Sequence, residues 1–162
     1  MAELIAAVFN PDWVTVIEGG REQNAALLEQ RFDFIFFTGS PQVGRLVMEK
    51  ASANLTPVSL ELGGKSPVIV DETADIALTA RRLVWGKLLN AGQTCVAPDY
   101  VLVHHSREQA LVEALIAEIR ARYTSAPLTN EEWPHIINRK HFERITGLLE
   151  GETILAGGKS RA

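Results

Sequence analysis

Short apolar runs alternate along the chain with segments in which apolar residues recur every three or four positions. Runs rich in β-branched or aromatic residues predict strands at 14–17, 34–37, 58–62, 67–70 and 100–103. The three- and four-residue spacing predicts helices over 25–31, after residue 40, over 74–89, over about 108–119 and around 142–149. This alternation of buried strands and helices predicts an α/β fold with a mainly parallel sheet.

Helix-capping residues mark where several of these helices begin and end. Ser40 is a good N-cap, and Pro41 has the backbone that the first helical position needs. Asn90, Ala91 and Gly92 tolerate left-handed geometry and end the helix before them. Ser106, followed three residues later by Gln109, has the pattern of a capping box and predicts that a helix begins there.

A domain boundary is expected near the adjacent glycines Gly63 and Gly64. The strand, glycine turn and helix pattern before them resembles an open-sheet, nucleotide-binding type of unit. The chain after them repeats strand and helix but contains more helix. We therefore predict a first domain over 1–62 and a second α/β domain over 63–162.

The composition excludes several classes of protein. The chain has 162 residues, 46% of them apolar and 22% charged, which is typical of a folded domain and excludes a disordered one. The 16 basic and 20 acidic residues give a net charge of −4 and form no basic block, so neither nucleic acid nor an anionic membrane is an expected partner. No apolar run approaches the roughly 20 residues of a membrane span, and we expect a cytoplasmic protein.

One cysteine, Cys95, is present. A single cysteine excludes an internal disulfide and any zinc site built from several cysteines. No metal site is expected. Cys95 lies in a predicted loop between a helix and a strand, where a thiol can be exposed and oriented. Lone cysteines are nevertheless most often small buried side chains, and the local context slightly favours that alternative.

Two further positions are candidates for chemistry. The segment from Gly39 to Gly44 joins a strand to a helix, whose free N–H groups and dipole could bind a pyrophosphate. It lacks the G-x-G-x-x-G fingerprint, so a tight turn alone explains it as well or better. Glu61 ends an apolar strand, where a carboxylate faces the ligand crevice of α/β proteins and could act as a general base or hold a ribose. An exposed glutamate at a strand end is an equally good explanation.

Three strings of residues together resemble the aldehyde dehydrogenase family. They are Phe-Thr-Gly-Ser at 37–40 with Val43 and Gly44, Leu-Glu-Leu-Gly-Gly-Lys-Ser-Pro at 60–67, and Asn-Ala-Gly-Gln-Thr-Cys at 90–95. Their order matches the family, and so does the separation of 34 residues between Glu61 and Cys95. Residues 96–100, 136–138 and 141–142 resemble the branch that acts on fatty and aromatic aldehydes. The resemblance extends over essentially the whole chain.

The resemblance implies a fold, a reaction and roles for individual residues. The fold would be part of a Rossmann-type dinucleotide-binding sheet followed by part of the α/β catalytic domain. The reaction would oxidise an aldehyde to a carboxylic acid with NAD or NADP, using Cys95 as the nucleophile and Glu61 as the base. The residues implied in cofactor binding are Gly39, Ser40, Val43, Gly44, Leu62 and Gly63. A homo-oligomer is implied for the full-length family.

The match is to the central part of these enzymes only. The oxyanion-binding asparagine, the residues that hold the two riboses and the oligomer-forming segment belong to stretches outside these 162 residues. We therefore expect a fragment, with apolar faces and sheet edges exposed. One alternative is a non-catalytic remnant that acts as a nucleotide-binding or interaction module. Another is a different thiol enzyme, an acyl-transferase or esterase that uses no dinucleotide.

Overall fold

The computed structural model describes residues 1–123, 127–129 and 133–161 and divides the chain into two compact units, Met1–Gly63 and Gly64–Ala162. The first contains α1 (Ala2–Val8), α2 (Arg21–Leu28), β1 (Ile35–Thr38), α3 (Pro41–Ser52) and β2 (Val58–Glu61). The second contains β3 (Ser66–Val70), α4 (Ile76–Leu88), β4 (Pro98–Val103), α5 (Glu108–Tyr123) and α6 (Arg139–Gly147). Short 3₁₀ turns occur at Leu89–Gly92, His105–Arg107 and Pro127–Thr129. The predicted α/β fold is confirmed.

The first unit is built on the βαβ motif β1–α3–β2. The two strands pair in parallel, from Ile35 opposite Val58 to Thr38 opposite Glu61. Because parallel neighbours need a crossover connection, α3 spans the pair, and it contacts both strands. It begins as expected, with the Ser40 hydroxyl accepting the Val43 N–H at 3.3 Å.

The second unit repeats the motif as β3–α4–β4. Its strands are also parallel, from Pro67 opposite Tyr100 to Val70 opposite Val103, with an irregularity at Ser66. The core of this unit joins β3, α4 and α5 and consists of Val70, Leu83 and Leu111. Both motifs therefore position loops at the ends of a two-stranded parallel sheet.

The predicted strand at 14–17 is wrong, since residues 14–19 have irregular backbone. A strand exists only by pairing with a neighbour, and each sheet in the described part of the chain consists of two other strands. Ile17 accordingly remains 56% exposed. The apolar run is real, but in this chain it has no strand to pair with among the described residues.

The predicted capping box before α5 is also wrong. A 3₁₀ turn occupies His105–Arg107, and the helix begins only at Glu108. The Ser106 hydroxyl pairs with His104 Nδ1 at 2.8 Å, and Gln109 donates forward to Glu113 Oε1 at 2.7 Å. Both side chains are therefore engaged elsewhere. The segment 125–134, whose two prolines and acidic pair predict a loop, lies partly outside the described residues.

Apolar side chains are exposed on both motifs, as expected for a match to part of a larger fold. Phe36 on β1 is 65% exposed, and Ile69 on β3 is 76% exposed. An isolated two-stranded sheet has little stability of its own, so each pair depends on the helix packed against it. None of the helices in the described part of the chain is long and apolar enough to cross a membrane.

Candidate functional site

The glycine turn after β1 and Glu61 lie together at one edge of the first sheet. Thr38, the last residue of β1, is opposite Glu61, the last residue of β2. The Gly39 N–H donates to the backbone carbonyl of Glu61 at 2.9 Å. The parallel register thus brings these two predicted site segments together at the carboxyl ends of the strands, where α/β sheets bind ligands. Glu61 is exposed, so the burial that would distinguish a general base from a surface glutamate is not present in this unit.

Gly44 has a clear packing role. A Cβ at this position would lie 2.9 Å from Leu62 Cδ2 and 3.5 Å from Leu60 Cδ1. Glycine therefore allows the first turn of α3 to approach the end of β2. Leucine side chains fill the space next to the Gly44 Cα, so that space is not open. Gly63, by contrast, has no heavy atom within 4 Å of where a Cβ would lie.

An apolar groove of about 340 Å³ adjoins the turn in the same unit. Leu27 and Leu28 of α2, the aromatic rings at Phe34 and Phe37, and Val43 of α3 line it. Val43, a predicted cofactor residue, therefore faces an apolar groove. The groove and the N-terminus of α3 together provide an apolar surface next to backbone donors.

Cys95 lies in the other unit, in the loop that enters β4. The Ala97 N–H donates to the Thr94 carbonyl at 3.0 Å and closes a tight turn around Cys95. Cys95 is exposed. The alternative of a packed, structural cysteine is therefore wrong for this chain, and the thiol is accessible to reagents in solution.

The backbone leading to this turn is strained. Asn90, Ala91 and Gly92 have φ values of 53°, 54° and 73°. The left-handed region costs an L-residue roughly 1–2 kcal/mol, and only the last of these residues is glycine. The loop around Cys95 therefore needs contacts that hold it in place.

One such contact is the close approach of Gly64. A Cβ on Gly64 would lie 2.0 Å from the Cys95 carbonyl oxygen and 3.2 Å from its carbonyl carbon. The neighbouring Lys65 Nζ pairs with Asp99 Oδ2 at 3.2 Å, so two contacts join the start of β3 to the start of β4. The cysteine turn is thus held at the amino ends of these strands.

Gly64→Ala is expected to destabilise the 162-residue chain by about 1–3 kcal/mol, because the new methyl group meets backbone atoms that cannot rotate away. Chemical denaturation followed by circular dichroism measures the change. The matched control is Gly63→Ala at the adjacent residue, where a Cβ meets nothing. Equal effects of the two substitutions would contradict the close approach.

A second contact involves Gln93, which sequence reasoning did not identify. Its Nε2 donates to the carbonyls of Asn90 at 3.0 Å and His135 at 3.2 Å, and its Oε1 accepts the Ile137 N–H at 3.0 Å. The partners at 135 and 137 are 42 and 44 residues away in sequence. Local spacing gives no signal for contacts at that distance.

Ala91→Gly is expected to stabilise the chain by roughly 0.5–1 kcal/mol, because glycine adopts the left-handed conformation without the steric cost that alanine has. The same substitution in the middle of α5, Ala117→Gly, should destabilise by about 0.5–1 kcal/mol. Denaturant midpoints of the two variants test this difference in sign. Destabilisation by both would show that residue 91 is not strained.

Comparisons with known proteins agree on one family. The model of the aldehyde dehydrogenase family matches residues 1–161. The chain is 48% identical over 159 residues to 4,4'-diaponeurosporen-aldehyde dehydrogenase of Staphylococcus aureus, covering 97% of this chain and 35% of that protein. It is 44% identical over 160 residues to aldehyde dehydrogenase family 3 member A2 of Macaca fascicularis, covering 99% and 33%.

Solved structures give the same result. The structure of a Mycobacterium tuberculosis aldehyde dehydrogenase complexed with NAD+ matches with a TM-score of 0.84 at 33% identity, over 98% of this chain and 35% of that one. Staphylococcus aureus AldH in a substrate-bound state matches with a TM-score of 0.81 at 48% identity, over 91% and 32%. The chain thus spans about a third of the length of the relatives that it matches.

Proposed function

The chain belongs to the aldehyde dehydrogenase family, and we propose that it oxidises an aldehyde to a carboxylic acid with reduction of NAD or NADP as part of a polypeptide of its relatives' length. The observation that carries this proposal is the exposed Cys95 thiol, held on a tight turn by backbone contacts, in a chain that the family model covers over residues 1–161. The uncovered apolar side chains Phe36 and Ile69 support the longer polypeptide.

Cys95 is proposed as the nucleophile. Its thiolate adds to the aldehyde carbonyl carbon, forming a C–S bond and a tetrahedral alkoxide. Loss of hydride from that carbon leaves a thioester, so the substrate is oxidised by two electrons. The backbone N–H of Cys95 is one donor for the alkoxide oxygen, and a donor in a fixed turn needs little rearrangement as charge develops.

Glu61 is proposed as the base for the second half of the reaction. It removes a proton from water, the oxygen attacks the thioester carbon, and the C–S bond breaks to return the Cys95 thiolate and release the acid. The exposure of Glu61 allows water to reach it. Its position at the carboxyl end of β2, beside the Gly39 turn, supports a role in the ligand crevice.

The residues of the first unit fit a dinucleotide. The N-terminus of α3, with its Ser40 cap, suits a pyrophosphate, and the apolar groove lined by Val43 and Phe37 suits a flat ring. We propose that Gly39, Ser40, Val43, Gly44, Leu62 and Gly63 border the dinucleotide. When bound, the nicotinamide supplies an acceptor for hydride. On this proposal residues 1–62 belong to a dinucleotide-binding domain and residues 63–162 to the catalytic domain.

The test measures NAD(P)H absorbance with an aldehyde and NAD⁺ or NADP⁺. It compares the 162-residue chain with the polypeptide extended by the coding sequence on either side of it. Aldehyde-dependent reduction by the extended polypeptide supports the proposal. Cysteine-dependent ester hydrolysis without cofactor reduction would instead identify a different thiol enzyme, and the absence of both activities would favour a non-catalytic module.

A further inference from the structure

We propose that Gln93 is a positioning residue, whose side-chain amide holds the Cys95 turn against the segment 135–137. The significance for catalysis rests on the proposed role of Cys95 as nucleophile. The positioning itself is a property of the fold that can be measured without any reaction.

The geometry of the contact resembles one position of a parallel sheet. In a parallel pair, a residue donates to the carbonyl before its partner and accepts the N–H after it. Gln93 does both with its side chain. Its Nε2 donates to the His135 carbonyl and its Oε1 accepts the Ile137 N–H, so Ile136 stands where the partner residue would be. The side-chain amide therefore replaces the backbone of a neighbouring strand.

The segment that Gln93 binds is itself fixed. The Trp133 ring packs edge-on against Tyr123 at the end of α5, with ring centroids 4.3 Å apart. A few residues later, the Asn138 side chain accepts the His141 N–H at 2.9 Å and caps α6. Gln93 thus connects the cysteine loop to a segment held at both ends.

The third hydrogen bond of Gln93 acts on the strained part of the loop. Its Nε2 donates to the carbonyl of Asn90, the first left-handed residue, while the Asn90 amide donates back to the Gln93 carbonyl at 3.3 Å. The contacts to 135–137 therefore also restrain the unfavourable turn that ends three residues before Cys95. Of the common side chains, only glutamine has both a donor and an acceptor at this reach.

The experiment uses Cys95 as the attachment point for a nitroxide label, since it is the chain's single cysteine. Electron paramagnetic resonance then reports the mobility of the turn, and hydrogen exchange reports the Ile137 amide. Gln93→Met should narrow the spectral lines and speed Ile137 exchange on the order of tenfold, because all three hydrogen bonds of the side-chain amide are lost. The helical circular dichroism should be unchanged.

The matched control is Gln109→Met, which removes an exposed glutamine amide that bonds Glu113 within α5. It should alter neither the label spectrum nor Ile137 exchange. If Gln93→Met does not fold, Gln93→Glu decides the question. It keeps the shape and the acceptor but places a carboxylate oxygen against two carbonyls, so the label should be mobile while the helices persist.

An unchanged label spectrum in a folded Gln93 variant would overturn the proposal, even if Ile137 exchange rose. Loss of fold in both variants would also overturn it, because Gln93 would then be a folding residue. These outcomes are independent of the proposed function, which fails instead if the extended polypeptide shows no cysteine-dependent reduction of NAD(P)⁺.

Discussion

Cys95→Ala is expected to lower aldehyde-dependent NAD(P)⁺ reduction by roughly 10⁴-fold or more, the scale seen when a covalent nucleophile is removed. The loss is this large because both half-reactions pass through a bond to this sulfur, first as a thiohemiacetal and then as a thioester. These 162 residues contain no second cysteine that could substitute. The measurement is the initial rate of NAD(P)H formation in the extended polypeptide.

Two further variants show whether the thiol or the turn is responsible. Cys95→Ser keeps the size and a hydroxyl, but an alcohol is a much weaker nucleophile at neutral pH, and the activity should remain lost. Val96→Ala changes the next residue of the same turn, whose side chain is 74% exposed, and should leave most activity intact. Full activity in Cys95→Ala would exclude Cys95 as the nucleophile.

The elements that could be predicted from sequence are those with a local signal. The paired strands and the helices between them are recognisable because their apolar spacing reflects burial on one side. The N-terminus of α3 follows from Ser40 and Pro41 in the same local way. Residues 14–17 have an equally good local pattern but no partner strand in the described residues. They do not form a strand, because strand formation depends on pairing.

The candidate site could be predicted only in part for the same reason. Glu61 lies at the carboxyl end of β2, where the general rule for α/β sheets places ligands. Cys95 lies near the amino end of β4, which that rule does not indicate, and its local context pointed slightly to a packed side chain. Only the family resemblance made Cys95 the candidate nucleophile. The long-range contacts of Gln93 with residues 135 and 137 have no counterpart in local spacing.

Glu61→Gln is expected to lower steady-state turnover by about 10²–10⁴-fold, the usual contribution of a general base. The neutral amide keeps the size of the side chain but cannot take a proton from water. Only hydrolysis of the thioester should suffer, because addition of the thiolate and loss of hydride come before it. We therefore expect a rapid burst of about one equivalent of NAD(P)H per Cys95, followed by slow turnover.

The burst separates this role from the alternatives left open by the exposed position of Glu61. A surface glutamate without a function would leave both phases unchanged, as Glu49→Gln on the exposed face of α3 should. If Glu61 instead holds the ribose, its replacement by glutamine would raise the KM for the dinucleotide. Deacylation would stay fast, so no burst would be seen. Restored turnover and loss of the burst on addition of a thiol or hydroxylamine would locate the defect at the thioester, because a stronger nucleophile than water needs no base.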